Sequence, residues 1–142
     1  MSKIYFSIEE AEELLPFVKR KMKKLMDLDE QVEQMENIKI EIKDDSVENH
    51  LLVSGFYKQY HKLLCTFYKH FEDLINKGAL VRDYKCGVVD FYSKFGDKDI
   101  LLCWNVDEES ILYWHEIEES FAQRKDIEIL KKKYAEQLKR LV

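Results

Sequence analysis

Val88-Val89-Asp90-Phe91-Tyr92-Ser93-Lys94, then Gly96-Asp97-Lys98-Asp99, then Ile100-Leu101-Leu102-Cys103-Trp104-Asn105-Val106: two runs rich in β-branched and aromatic residues flank a polar connector that contains glycine. This is hairpin grammar. A further run, Ile111 to Ile117, follows after Asp107-Glu108-Glu109-Ser110, and an earlier one, Leu80 to Asp83, precedes across Lys85-Cys86-Gly87. Connectors this short imply an antiparallel meander. The last run also fits a helix face through Leu112, His115 and Glu119, but Ile111-Leu112-Tyr113-Trp114 favours a strand.

Upstream the period changes from two to between three and four. Ser7-Ile8-Glu9-Glu10 has the form of a capping box, so a helix begins there. Ile8, Ala11, Leu15, Val18, Met22, Leu25 and Val32 then make one packing seam, broken by the single proline only as a bend at Pro16. From Ile38 to Asn49 the repeat is lost, which marks the connection to a second helix ending near Lys77, with Gly78 as its C′ residue. That helix carries Val53, Phe56, Tyr60, Leu63, Phe67 and Leu74 on one seam and Tyr57, Leu64, Tyr68, Phe71 and Ile75 beside it. So broad an apolar face implies more than one neighbour, the sheet being the second. A closing amphipathic helix from about Asp126 sets Ile127, Leu130, Tyr134, Leu138 and Leu141 against Lys131-Lys132-Lys133.

The fold expected is therefore α+β: a long antiparallel helical hairpin packed on a small antiparallel β-meander, plus a C-terminal amphipathic helix. At 142 residues the chain suits one domain over 1–142, with the hairpin at 7–77, the sheet at 80–117 and the last helix at 126–142. A net charge of −5 argues against nucleic acid as a partner, and no apolar stretch approaches the ~20 residues of a membrane span. Three cysteines with no CxxC pair argue against a disulfide framework or a zinc knuckle. A cytoplasmic protein is the expectation. No glycine-rich phosphate loop, nucleophile elbow or paired zinc cysteines occur, which sets aside the commonest enzyme classes.

The run Gly87-Val88-Val89-Asp90-Phe91, with Leu102-Cys103-Trp104, Glu108, Trp114-His115-Glu116 and Phe121-Ala122-x-Arg124, resembles the domain-of-unknown-function family 2203, small prokaryotic proteins without an assigned activity. Phe6-Ser7-x-Glu9-Glu10-Ala11 and Leu14-Leu15-Pro16 resemble that family's opening, so the likeness covers nearly the whole chain except the final helix. Departures occur too. Asp107, Ser120 and Gln123 stand where the family has glycine, and Tyr92 and Asp126 where it has proline, which alters the loops around Arg124. The resemblance implies a fold and points of attention, not a reaction.

Side chains alternate across a strand, so register decides which polar groups meet. Centring a turn on Gly96 to Asp99 sets Asp90 near Trp104 and Tyr92 near Leu102; the next turn sets Trp104 near Tyr113 and Leu102 near His115. Asp90, Tyr92, Trp104, Tyr113 and His115 then share one face. Glu116, Phe91, Cys103 and Trp114 share the other. On this reading Asp90 and His115 converge with a third group from the helices, His70, on a divalent transition metal such as zinc, manganese or iron, or on a polar ligand. The plainer alternative makes Asp90 a turn or backbone acceptor and His115 an ordinary partly buried histidine.

Other candidates are weaker. His61 and Cys65 share a helix face at i, i+4 but sit among Leu64 and Phe67, where a lone cysteine is usually core. Lys19-Arg20-Lys21-Met22-Lys23-Lys24 keeps its seam through Val18, Met22 and Leu25, so it reads as a solvated helix face. Arg124 either anchors an anionic ligand bidentately or pairs with Glu118 or Glu119, and Trp104 is a further candidate for binding a cofactor.

Three functions follow. The first is a ligand- or metal-binding module, homodimeric through the wide apolar face of its second helix and its C-terminal amphipathic helix, whose sheet presents Asp90 and His115, with Glu116 as a further candidate. The second is a metal-dependent enzyme using His115 with Glu116 or Asp90 as catalytic groups. The third is a structural adaptor working through its helices.

Overall fold

The computed structural model describes residues 3–140, with side chains to Lys133. Helix α1, Ile8–Glu36, starts as its sequence requires: Glu10 N–H donates to Ser7 Oγ at 3.1 Å and Ser7 N–H to the Glu10 carboxylate at 3.2 Å, closing the capping box. Its buried stripe is Ala11, Leu15, Val18, Met22, Leu25 and Val32, the expected seam, and Pro16 lies within the helix. Helix α2, Val47–Asn76, returns alongside it after an N-cap at Ser46. Gly78 ends the hairpin with φ +91°, and a Cβ there would lie 2.8 Å from the Phe6 ring, so both backbone and space demand glycine.

Five strands follow in the spatial order of the chain: β1, Ala79–Asp83; β2, Val88–Phe95; β3, Lys98–Asn105; β4, Tyr113–Glu116; and β5, Lys125–Asp126. All neighbours are antiparallel. The meander is the one expected, with one strand more. β5 is only two residues long, and it turns the chain into α3, Ile127–Arg140. Together these make an α+β fold, a long helical hairpin on an antiparallel sheet with a C-terminal helix. Of the apolar positions assigned to α3, Ile127 and Leu130 join the core, while the side chains of Tyr134, Leu138 and Leu141 lie outside the described residues.

The register differs from expectation by one residue in each hairpin. Phe95 pairs with Lys98 across the two-residue turn Gly96-Asp97, so Asp90 faces Cys103 and Tyr92 faces Leu101. In the next hairpin Leu101 faces His115 and Cys103 faces Tyr113. Two slips restore the outer strands and invert the middle one, because each slip flips the side to which a strand's residues point. Asp90 and His115 still share a face; Cys103 joins them and Trp104 leaves.

Val89, Phe91, Ile100, Leu102, Trp104 and Trp114 form a continuous core with Ala11, Leu15, Val18, Met22 and Leu25 of α1. The helical layer therefore covers the Trp104 face. α2 buries only Phe67 and Leu74 fully, while Tyr57, Tyr68 and Ile75 on its flanking stripe are exposed. On the far side of the sheet, the segment from Ile117 through the 3-10 turn at Phe121–Gln123 lies beside Leu101, Asp90 and His115. No helix among the described residues is long and apolar enough to cross a membrane.

Candidate metal centre

Asp90 of β2, Cys103 of β3 and His115 of β4 meet on the far face, each 3% exposed or less. One ligand atom from each lies within 4.8 Å of the others. His115 fixes its own tautomer. Its Nδ1 stands 2.8 Å from the Glu116 carbonyl, which can only accept, so Nδ1 carries the hydrogen. Nε2 then faces both Asp90 oxygens at 3.3 Å. A neutral imidazole would turn a lone pair toward a carboxylate there, so the arrangement calls for a positive charge between them: a proton or a metal ion.

Asp90 is held from the other side by Arg82, whose Nε donates to Oδ2 at 3.0 Å. The sequence reason is a β-bulge. Val81 pairs with Val89 and Asp83 with Val88, leaving Arg82 as the extra residue whose side chain is re-aimed. Burial raises the Cys103 thiol well above its ordinary pKa, and the Asp90 charge and hydrogen bond raise it further. Without a metal this sulfur is a protonated, inert thiol; a coordinated cation inverts that preference and deprotonates it.

The cluster opens on a cavity of about 530 Å3 whose lining includes Asp90 and His115 with Arg82, Leu101, Ile117 and Phe121. Its cover is pinned by Arg124. That guanidinium donates to both Glu108 oxygens, at 3.0 and 2.9 Å, and lies over the rings of Phe121 and Tyr113, 3.8 and 4.2 Å from their centroids. Glu108 in turn accepts from Asn105 N–H at 2.8 Å, which ties the cover to the end of β3.

The other site residues read from the sequence lie elsewhere. His70, expected as the third ligand, belongs to the helical layer on the opposite side of the sheet; its Nδ1 accepts from Lys21 at 3.1 Å, and burial with the Lys21 charge lowers its pKa. The third group beside Asp90 and His115 is Cys103. Trp104, expected as a binding residue, is fully buried in the core with Nε1 donating to the Glu108 carbonyl. Glu116 points away from His115 by strand alternation and pairs with Lys98 at 2.7 Å, which lowers its pKa. Arg124 pairs with Glu108 rather than Glu118 or Glu119, and Glu119 takes Lys125 instead. His61 and Cys65 are exposed and outside this cluster.

Cys103 was assigned to the wrong face, and a local signal existed. Gly-Asp between two β runs is a two-residue hairpin loop, and Gly96 has φ +61°. Taking Gly96-Asp97 alone as the loop gives the observed β2–β3 register.

Residues 4–127 match the family described as "Uncharacterized conserved protein (DUF2203)". The chain belongs to this family. No curated protein and no solved structure matches it. Family membership leaves the activity unassigned, and the motif stretches quoted above are the ones that deliver the cluster: one supplies Asp90, one Cys103 and one His115.

Proposed function

We propose that this DUF2203 protein binds a divalent transition metal, of which zinc is the best fit, through Asp90, Cys103 and His115. One observation carries the reading: the 3.3 Å between His115 Nε2 and the Asp90 oxygens. Charge-assisted hydrogen bonds close to about 2.7–2.9 Å. The edge of a tetrahedron with bonds of about 2.0–2.1 Å is about 3.3–3.4 Å, the separation two zinc ligands take. The Nδ1 bond to a main-chain carbonyl is the outer-shell partner that metal-bound imidazoles typically have. Thiolate, imidazole and carboxylate together favour a borderline-soft ion over magnesium or calcium. A reducing, cytoplasmic setting suits a site that needs a free thiol.

Three protein ligands leave a fourth position, and the cavity beside Asp90 and His115 supports a second reading as a metal-dependent enzyme, in which a metal-bound water would be the reacting group. Asp90 and His115 then act as ligands, and Glu116, occupied by Lys98, has no part. Self-association is a separate matter, supported by the exposed Ile38, Ile42, Val47, Leu51 and Leu52 at the far end of the hairpin.

The test is elemental analysis of protein purified without a metal-affinity tag, followed by cobalt substitution. About one metal per chain and a thiolate-to-cobalt charge-transfer band are expected, both lost in Cys103→Ala and His115→Ala. A folded wild-type chain that takes up neither zinc nor cobalt overturns the proposal.

A further inference from the structure

The cavity over the cluster says more about what it would hold. Arg82 reaches it from the β1 bulge with its side chain about half exposed (48%), and only Nε is engaged, on Asp90. Its two terminal nitrogens make no hydrogen bond or ion pair with the described residues. A guanidinium with four N–H groups free, at the wall of a cavity, is a ready anion anchor. The remaining charges limit the anion. Asp83 and Glu119 also stand in the lining, the first taking the N–H groups of Lys85 and Cys86, the second Lys125 and the Glu116 N–H. With a divalent ion on Asp90 and a Cys103 thiolate, the centre itself is neutral; Glu119 is offset by Lys125 and Asp83 is tied to main-chain N–H groups, so Arg82 is the one guanidinium or ammonium group in the lining with donors left for a ligand. A dianion would bring a second negative charge that no further cation in the lining meets, beside Asp83. The wall also carries an apolar part, Val88, Leu101, Ile117 and Phe121, beside Cys86, Asn105 and Ser120. About 530 Å3 is within the range of small-molecule sites, roughly 300–1,000 Å3.

We infer that the cavity binds a small monoanionic organic acid, its carboxylate on Arg82 beside the metal position and its apolar body against Val88, Leu101, Ile117 and Phe121. The inference rests on the metal reading for the neutrality of the floor. It assigns Arg82 a role in choosing the ligand as well as in holding Asp90.

Calorimetric titration of zinc-loaded protein with acetate, butyrate, hexanoate, hexanamide and inorganic phosphate tests it, with zinc content measured on each sample. Hexanoate is expected to bind at least ten-fold more tightly than its neutral amide and than phosphate, and affinity is expected to rise from acetate to hexanoate. Arg82→Gln should lower hexanoate affinity ten-fold or more when compared with wild type at equal zinc occupancy. If that variant fails to fold, the amide comparison and the chain-length series decide in the wild type. Equal binding of the amide, tighter binding of phosphate, a flat series or an unaffected Arg82→Gln each overturns the inference. A chain that holds zinc and binds none of the probes overturns this inference and leaves the metal reading intact; one that takes no zinc overturns the metal reading and, with it, the neutral floor on which this inference rests.

Discussion

On the helix-facing side of the sheet, Phe91, Leu102 and Trp104 are fully buried against the α1 stripe; on the far side Asp90, Cys103 and His115 are buried nearly as deeply, at 2%, 0% and 3% exposure. Depth therefore does not separate the two faces. Chemistry does. The first face is stabilised by removing apolar surface from water, to which Trp104 adds one hydrogen bond to the Glu108 carbonyl. The second spends stability on desolvating ionisable groups, offset through Arg82, a main-chain carbonyl and whatever charge lies between Asp90 and His115. The segment beside the cluster is held by Arg124, which pairs with Glu108 and lies over Phe121 and Tyr113.

The contrast is broken most violently from the apolar side. Trp104→Ala should cost about 3–5 kcal/mol, the usual range for emptying a large aromatic from a core, read as a lower denaturant midpoint. Zinc uptake by the fraction that remains folded should persist, since Trp104 points away from the cluster. A loss under about 1 kcal/mol, or a folded variant without zinc, would return Trp104 to the polar face and the register to the one first inferred.

The polar side should give a smaller, metal-dependent effect. Zinc at one hundred times its dissociation constant should raise unfolding stability by about 2.7 kcal/mol, seen as an upward shift of the melting temperature. Cys103→Ala and His115→Ala should erase that increment. His70→Ala and Glu116→Gln should keep it, because one sits in the helical layer and the other on Lys98. An increment that disappears with His70 and survives without Cys103 would place the ion on the opposite side of the sheet.

These two tests also measure what could be read from residues alone. The α1 seam and its capping box are local, fixed by neighbours three and four positions away, and they appear as expected. The pairing of Asp90 with His115 survived a doubled error because two one-residue slips preserve parity between β2 and β4. The middle strand had no such protection, which is why Cys103 and Trp104 exchanged roles. His70 lay in an apolar seam that says a helix is buried without saying which layer buries it. Arg124 finds Glu108 across 16 positions and two aromatic rings, and β5 is a two-residue strand; neither has a local pattern to betray it.

The finest test sets the metal-free centre against the loaded one through the Cys103 proton. In the metal-free fold, burial and Asp90 raise the thiol's pKa, whereas in the unfolded chain it ionises near the ordinary value of about 8.5. The folded state therefore binds the extra proton, and this contribution is complete below about 8.5 and lost as pH climbs toward the raised value. Each pH unit in that window should take about 1.4 kcal/mol from stability relative to Cys103→Ala, a difference that cancels the titration of Cys65, Cys86 and the tyrosines. Zinc removes the effect at its source, because a coordinated sulfur is already a thiolate and has no proton to keep. Denaturant melts between pH 8 and 10 should show the alkaline slope in metal-free wild type and lose it on loading. If loading leaves the slope unchanged, the sulfur still carries its hydrogen, and the ion is held by Asp90 and His115 without it.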